Sequence, residues 1–200
     1  MLPARAGNHH PTALRPSGPF RSSRRPSLEP IRQASAERIG GKCYGHRPKV
    51  EDMAREHFED VTVGETHEFG SRDVTREEIV EFADRYDPQP FHTDEAAAGE
   101  SMFGGLIASG WHTAAMTMEL LVTNVFENSG ATGAVGVDEL RWPNPVRPGD
   151  TLSVRTEVLD TEPWSDRLGL VRSGTRTHDQ DGEEVMSMIG LVLYERRDPE

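Results

Sequence analysis

The sequence predicts an α+β domain in which an antiparallel sheet packs on one buried helix. Three observations carry this. An apolar stripe at helical spacing follows a capping signal at Thr75. A second stretch, Trp111 to Val122, is a good helix former that is apolar on most of its faces. From Gly133 onward the apolar period drops to two over four successive segments. Helices followed by a run of strands belong to an α+β fold rather than to alternating βαβ units.

Taken in order, Thr66 to Val74 reads as a first strand. Thr75-Arg-Glu-Glu78 is a capping box, in which the Thr hydroxyl satisfies one orphan N–H and the Glu carboxylate reaches back to the cap. The helix it opens carries Ile79, Val80, Phe82, Ala83 and Tyr86 and must end by Asp87, because Pro88 restricts the residue before it. Asp87-Pro-Gln-Pro-Phe-His92 holds two prolines in four positions and is expected to be a stiff, non-helical connector. Thr93 or Asp94 can cap a short helix over Glu95 to Ala98. A glycine-rich segment, Phe103 to Gly110, then leads into the long apolar helix. Ala134–Trp142, Thr151–Val158, Leu168–Thr177 and Val185–Tyr194 are the four later strands. Turn residues separate them: Pro143, Pro145 and Pro148-Gly-Asp150, then Pro163, then Asp181-Gly182 as a hairpin turn.

The 200 residues divide into unlike parts. Residues 1–50 hold 10 Lys and Arg against 2 acids, a balance of +8, whereas the remainder holds 12 against 32, a balance of -20. Seven prolines and no apolar periodicity mark the first part, so residues 1–52 are expected to form a disordered extension and residues 53–200 the folded domain. The extension has no apolar core of a secretory signal, and its prolines oppose the amphipathic helix of a transit peptide. A start at Met53 would leave the extension out. The acidic body argues against nucleic acid as a partner, since a binder neutralises phosphates with clustered Lys and Arg. Cys43 is the only cysteine, which excludes an internal disulfide and fits a reducing, cytoplasmic compartment. Thr113 to Val122 is far shorter than the ~20 residues that span a bilayer, so no membrane association is expected. The histidines lack metal-ligand spacing, and no metal site is expected.

Gly105-Leu-Ile-Ala-Ser-Gly110 has the glycine spacing of a phosphate-binding loop, but Trp111-His112 stand where Lys and Ser or Thr are required. Ile107 two positions before Ser109 excludes a Gly-x-Ser-x-Gly nucleophile elbow. Asp87 and His92 are the better candidates. On a proline-stiffened connector a carboxylate and an imidazole can converge on one point, which is the equipment for activating water and moving a proton. Gly110 opens a long helix whose unpaired N–H groups and positive dipole end suit a carbonyl oxygen that becomes negative during reaction.

Together these residues resemble a known family. Asp87-Pro-Gln-Pro-Phe-His-Thr-Asp94 resembles the hydratase motif Asp-x-Asn-Pro-x-His-x-Asp of the MaoC-like dehydratases, a group that includes the (R)-specific enoyl-CoA hydratases. Phe103-Gly-Gly-Leu-Ile-Ala-Ser-Gly110 is similar to that family's Phe-Gly-x-x-Ile-Ala-His-Gly segment, and Arg141-Trp-Pro-Asn-Pro-Val-Arg-Pro-Gly-Asp150 to its strand ending in Pro-Val-x-x-Gly-Asp. The resemblance covers about residues 56–195. It implies a hot-dog fold, a curved antiparallel sheet wrapped around a long central helix spanning Thr113 to Phe126, in a homodimer or a dimer-based oligomer. It implies Asp87 and His92 as the catalytic pair that activates water, Gly110 N–H as the group polarising a thioester carbonyl, and Ser109 as a substrate contact. Two departures stand beside the site: Gln89 replaces the usual Asn and Ser109 the usual His.

The function so implied is acyl-CoA hydration and dehydration, the reversible addition of water to the 2,3 double bond of an enoyl thioester. No resident cofactor is expected, coenzyme A entering as part of the substrate. A hot-dog acyl-CoA thioesterase and a non-catalytic acyl-thioester-binding subunit are the alternatives. Coenzyme A is polyanionic, and only local cations can serve it in an acidic body, because charges beyond about 8 Å are screened at physiological salt. Arg141, Arg147, Arg172 and Arg176 are the candidates.

Overall fold

In the computed structural model, which describes residues 55–197, the change of period at Gly133 is the change from helices to sheet. After a 3₁₀ turn at Phe58–Asp60 come strand β1 (Thr66–Asp73), helices α1 (Arg76–Tyr86), α2 (Pro90–Thr93), α3 (Glu95–Glu100) and α4 (Gly110–Leu121), and a π-type turn (Val122–Phe126) that prolongs α4. Strands β2 (Ala131–Arg141), β3 (Thr151–Pro163), β4 (Leu168–His178) and β5 (Glu184–Glu195) follow. The five strands form one antiparallel sheet in the order β1-β3-β4-β5-β2. The chain is thus α+β as expected, and the hot-dog arrangement is borne out. The expectation of a disordered extension over residues 1–52 lies outside the described residues.

Succession along the chain does not give the sheet order. Strand β2 pairs with β5 at one edge, not with β3, its successor. The intervening stretch carries Pro143, Pro145 and Pro148, which lack N–H donors for a tight hairpin ladder, and it crosses to the other side of the sheet. Strands β3, β4 and β5 form a meander. Its last turn closes through Asp179 and Glu183, with Gly182 at φ +83° supplying the left-handed residue that the Asp-Gly signal predicts. Pro163, expected in the break after the Thr151–Val158 strand, is instead the last residue of β3. The ladder with β1 ends near Glu157, so the strand's far end has no β1 neighbour needing the missing N–H.

The capping box at Thr75 forms by half. Thr75 accepts from the Glu78 N–H at 3.3 Å, but the Glu78 carboxylate takes Arg72 at 2.7 Å instead of the cap backbone. Arg72 also holds Glu119 at 2.7 Å, so one guanidinium ties β1, α1 and α4 together. Against the sheet, α4 buries Met116, Leu120 and Leu121 among Leu152, Val154, Met186 and Met188. Inside this layer the buried Thr117 and Thr177 hydroxyls take each other as hydrogen-bond partners at 2.8 Å. A smaller cluster of Val171, Val192 and Tyr194 closes the other end with Phe58 and Val61.

Candidate active site

The site is assembled where the three motifs cross. Helix α1 ends on Asp87, whose N–H still reaches the Ala83 carbonyl at 2.9 Å while its φ of -152° and ψ of 66° leave the helix. The connector is not wholly extended as expected. Pro90 opens the one-turn helix α2, with His92 within it. A proline at the first helical position has no N–H to waste and its ring already fixes a helical φ, so the feature that excludes a helix interior here starts one.

His92 is 4% exposed, and its ring packs edge-on against Phe91. Its Nδ1 lies 2.8 Å from the Ile107 carbonyl oxygen. A carbonyl only accepts, so Nδ1 carries the proton and Nε2 is the nitrogen turned to the site. Ile107 is itself fixed. Its N–H donates to the Phe91 carbonyl at 3.3 Å, and the next N–H, Ala108, donates to the Val146 carbonyl at 2.8 Å. Arg147 donates to the Phe103 carbonyl at 2.7 Å. The hydratase-like motif, the glycine-rich segment and the Pro-Val-Arg-Pro segment therefore hold one another through backbone groups.

At their centre His92 Nε2 lies 3.5 Å from Asp87 Oδ2. Ser109 Oγ donates to the same oxygen at 2.6 Å, and Gln89 Nε2 donates to Oδ1 at 2.8 Å. The Ser109 bond, foremost, holds the Asp87 carboxyl below its ordinary pKa. Burial opposes it in part, and Gln89 and the neighbouring imidazole assist. Ser109, expected as a substrate contact, is 1% exposed and commits its hydroxyl to Asp87; it also accepts from the Trp111 N–H at 3.2 Å, capping α4. Both departures from the family pattern, Gln89 and Ser109, are thus donors to one carboxylate.

Gly110 is the first residue of α4, so its N–H has no intrahelical acceptor. A Cβ there would meet the Trp142 ring at 2.7 Å, so only glycine permits this approach. Trp142 in turn meets Trp111 edge to face at 5.3 Å. Nothing in the spacing announced Trp142 as a neighbour of Gly110, although it stands inside the third motif. His112, on the same first turn of α4, serves elsewhere. It stacks on Phe82 of α1 at 4.6 Å, is 5% exposed and leaves Nδ1 without a partner. Burial chiefly lowers its pKa; Arg72 adds to that and Glu78 opposes it.

Among the four arginines considered for the cofactor phosphates, Arg172 pairs with Asp138 at 3.0 Å, Arg176 pairs with Glu184, and Arg147 serves the Phe103 carbonyl. Arg141 bonds only its neighbouring Leu140 carbonyl and shows no carboxylate partner among the described residues. Among the described residues no three His, Cys, Asp or Glu side chains converge as a metal site would require, and no helix is long and apolar enough to cross a membrane.

Residues 59–179 match the MaoC like domain family. The chain is similar to the MaoC-like dehydratase of Rhodospirillum rubrum, with 44% identity over 72% of this chain and 99% of that one and a TM-score of 0.65. It is 30% identical over 139 residues to the uncharacterized protein YdeM of Bacillus subtilis, covering 70% of this chain and 99% of the relative. The R-hydratase PhaJ1 of Pseudomonas aeruginosa aligns at 26% identity over 72% of this chain and 88% of that one, with a TM-score of 0.59.

Proposed function

Because the chain belongs to the MaoC-like domain family, we propose that it is an acyl-CoA hydratase/dehydratase that adds water reversibly across the 2,3 double bond of an enoyl thioester. The observation that carries the reading is the buried His92 facing the ionised Asp87 at 3.5 Å, with Ser109, the residue that caps α4, bonded to the same carboxylate. One water can touch both His92 Nε2 and Asp87 Oδ2. As its oxygen bonds to C3 of the enoyl group, Asp87 takes a proton from it and returns that proton to C2, so that the elements of water are added and the residues end as they began. His92, fixed by Ile107, orients the water. The Gly110 N–H and the positive end of α4 stabilise the charge that builds on the thioester oxygen. Coenzyme A enters as part of the substrate and no resident cofactor is assigned. In the same reading the protein is cytoplasmic and serves fatty acid metabolism.

A homodimer is the natural assembly. Met118 of α4 and Val122 of the π-type turn that prolongs it are exposed, and the edge strand β2 exposes Val135 and Val137. An apolar helical stripe and an open sheet edge are surfaces that a second copy of the chain would cover.

The test is loss of enoyl absorbance with trans-2-enoyl-CoA substrates. Asp87→Ala and His92→Ala should each lower turnover by roughly 10²–10⁴, the range for positioned acid–base groups. Retention of near-parental rates by both variants overturns the reading. Release of free thiol in place of hydration would identify a thioesterase.

A further inference from the structure

Strand β2 ends irregularly. Its pairing with β5 slips between Asp138 and Arg141, and within the slip Glu139 adopts φ +54°, a left-handed conformation that a non-glycine residue rarely takes. A bulge of this kind bends the strand and re-aims the side chains beyond it. The side chain so placed is Trp142. Its six-membered ring closes on Gly110, where an added Cβ would lie 2.7 Å from Cδ2 and Cε2 and 3.1 Å from Cε3. Trp111, the next residue on α4, meets Trp142 edge to face, and both indoles keep an open side, 61% exposed at Trp111 and 39% at Trp142. A pair of large aromatic rings held at the surface beside Gly110, whose neighbour Ser109 bonds Asp87, forms an apolar wall next to the catalytic pair's support.

We propose that Trp142 determines substrate specificity, as the wall that limits the bulk of the acyl group a thioester can carry past Gly110. The proposal rests on the hydratase reading for the class of substrate and on the Gly110–Trp142 contact for its position. Its chemistry is that of a hydrophobic slot. The ring can accept a slender acyl chain lying along its face, while a branch or a second ring on the acyl group meets the indole in the place where a Cβ on Gly110 would.

The experiment compares the parent with Trp142→Phe and Trp142→Ala on two readouts. One is the dissociation constant for saturated acyl-CoA esters of increasing bulk, from butyryl through branched to phenyl-bearing chains, which needs no turnover. The other is kcat/KM for the matching trans-2-enoyl-CoA series. Trp142→Ala should raise the preference for bulky over slender acyl groups by about 10–100-fold, the discrimination a hydrophobic pocket achieves through one or a few carbons, with Trp142→Phe between it and the parent. Thermal unfolding of each variant shows that the fold persists, and Trp142→Phe keeps the test alive should the alanine variant be unstable. A preference unchanged within about twofold, with only a uniform loss across the series, overturns the proposal and leaves Trp142 a packing residue. If the parent binds saturated acyl-CoA with a Trp142-dependent preference yet hydrates no enoyl-CoA, the wall stands and the hydratase reading falls. If no acyl-CoA binds at all, both fall.

Discussion

Replacing Ser109 with Ala removes one hydroxyl that makes two contacts, and the two contributions can be separated. It donates to Asp87 Oδ2 at 2.6 Å and accepts from the Trp111 N–H at 3.2 Å. The first is a hydrogen bond to an ionised acceptor, which contributes about 1.5–3 kcal/mol. The second caps α4 and contributes about 1 kcal/mol. Ser109 is 1% exposed, so water does not readily take the place of the lost group, and the variant should be destabilised by about 2.5–4 kcal/mol near neutral pH. Only the first part depends on pH. Asp87 is more acidic in the folded protein than in the unfolded chain. Its contribution is therefore present above the ordinary Asp value, near 3.9, and is lost as the pH falls through the depressed folded value. The assay is urea unfolding of the parent, Ser109→Ala, Asp87→Asn and the double variant near neutral pH. The two residues should be coupled by about 1.5 kcal/mol or more, and in the Asp87→Asn background the serine should be worth little beyond its cap. In acid the gap between parent and Ser109→Ala should narrow towards the capping part. A coupling below about 0.5 kcal/mol would refute the claim that this hydroxyl supports the carboxylate. In turnover, the acid limb of the pH–rate profile of Ser109→Ala should move upward, since an Asp87 without its donor is protonated more readily.

Burial lowers the His112 pKa in the folded protein, so as the pH falls through about 6.5 the unfolded chain binds the proton first and stability declines with acidification. His112→Phe, which keeps a flat ring against Phe82, should lose less melting temperature than the parent on passing from about pH 7.5 to 5.5, while His67, whose pKa is also lowered by burial, acts in the same direction in both proteins. An equal loss in both proteins rules His112 out as the source. At Glu139, glycine relieves left-handed strain of about 1–3 kcal/mol against about 0.5–1 kcal/mol of added chain entropy, so Glu139→Gly should unfold at the parental urea midpoint or above it. Glu139→Val should fall clearly below it, and the reverse order would show that the bulge is not strained. Met118→Glu, a charge in the exposed stripe of α4, should convert a dimer to a monomer by light scattering without lowering secondary structure by circular dichroism; an unchanged mass places the interface elsewhere.

Much of the scaffold was legible because short-range physics writes it into neighbouring residues. Thr75 and Pro88 bound α1 through an orphan N–H and a forbidden φ/ψ region, and the drop in period at Gly133 follows from side chains alternating across a pleat. The same local rules misread Pro90, because a proline marks the end of one helix and the start of another with identical chemistry. They also returned Glu78 to its own cap, when a guanidinium from a different element offered a stronger partner.

Local residue chemistry specifies which groups are on hand and roughly where the backbone turns to present them: Asp87 at a helix exit, His92 on a stiff segment beyond it, and Gly110 at the start of a long apolar helix. What those groups touch depends on packing between segments far apart in the chain. Ser109 reaches Asp87 across 22 residues, His92 finds the Ile107 carbonyl across 15, and Trp142 closes on Gly110 from a strand that pairs with the last strand of the chain rather than the next. None of these contacts is favoured by the residues flanking it. Each exists because burying the apolar face of α4 against the sheet brings distant segments together, and the polar groups carried with them must find partners once water is gone.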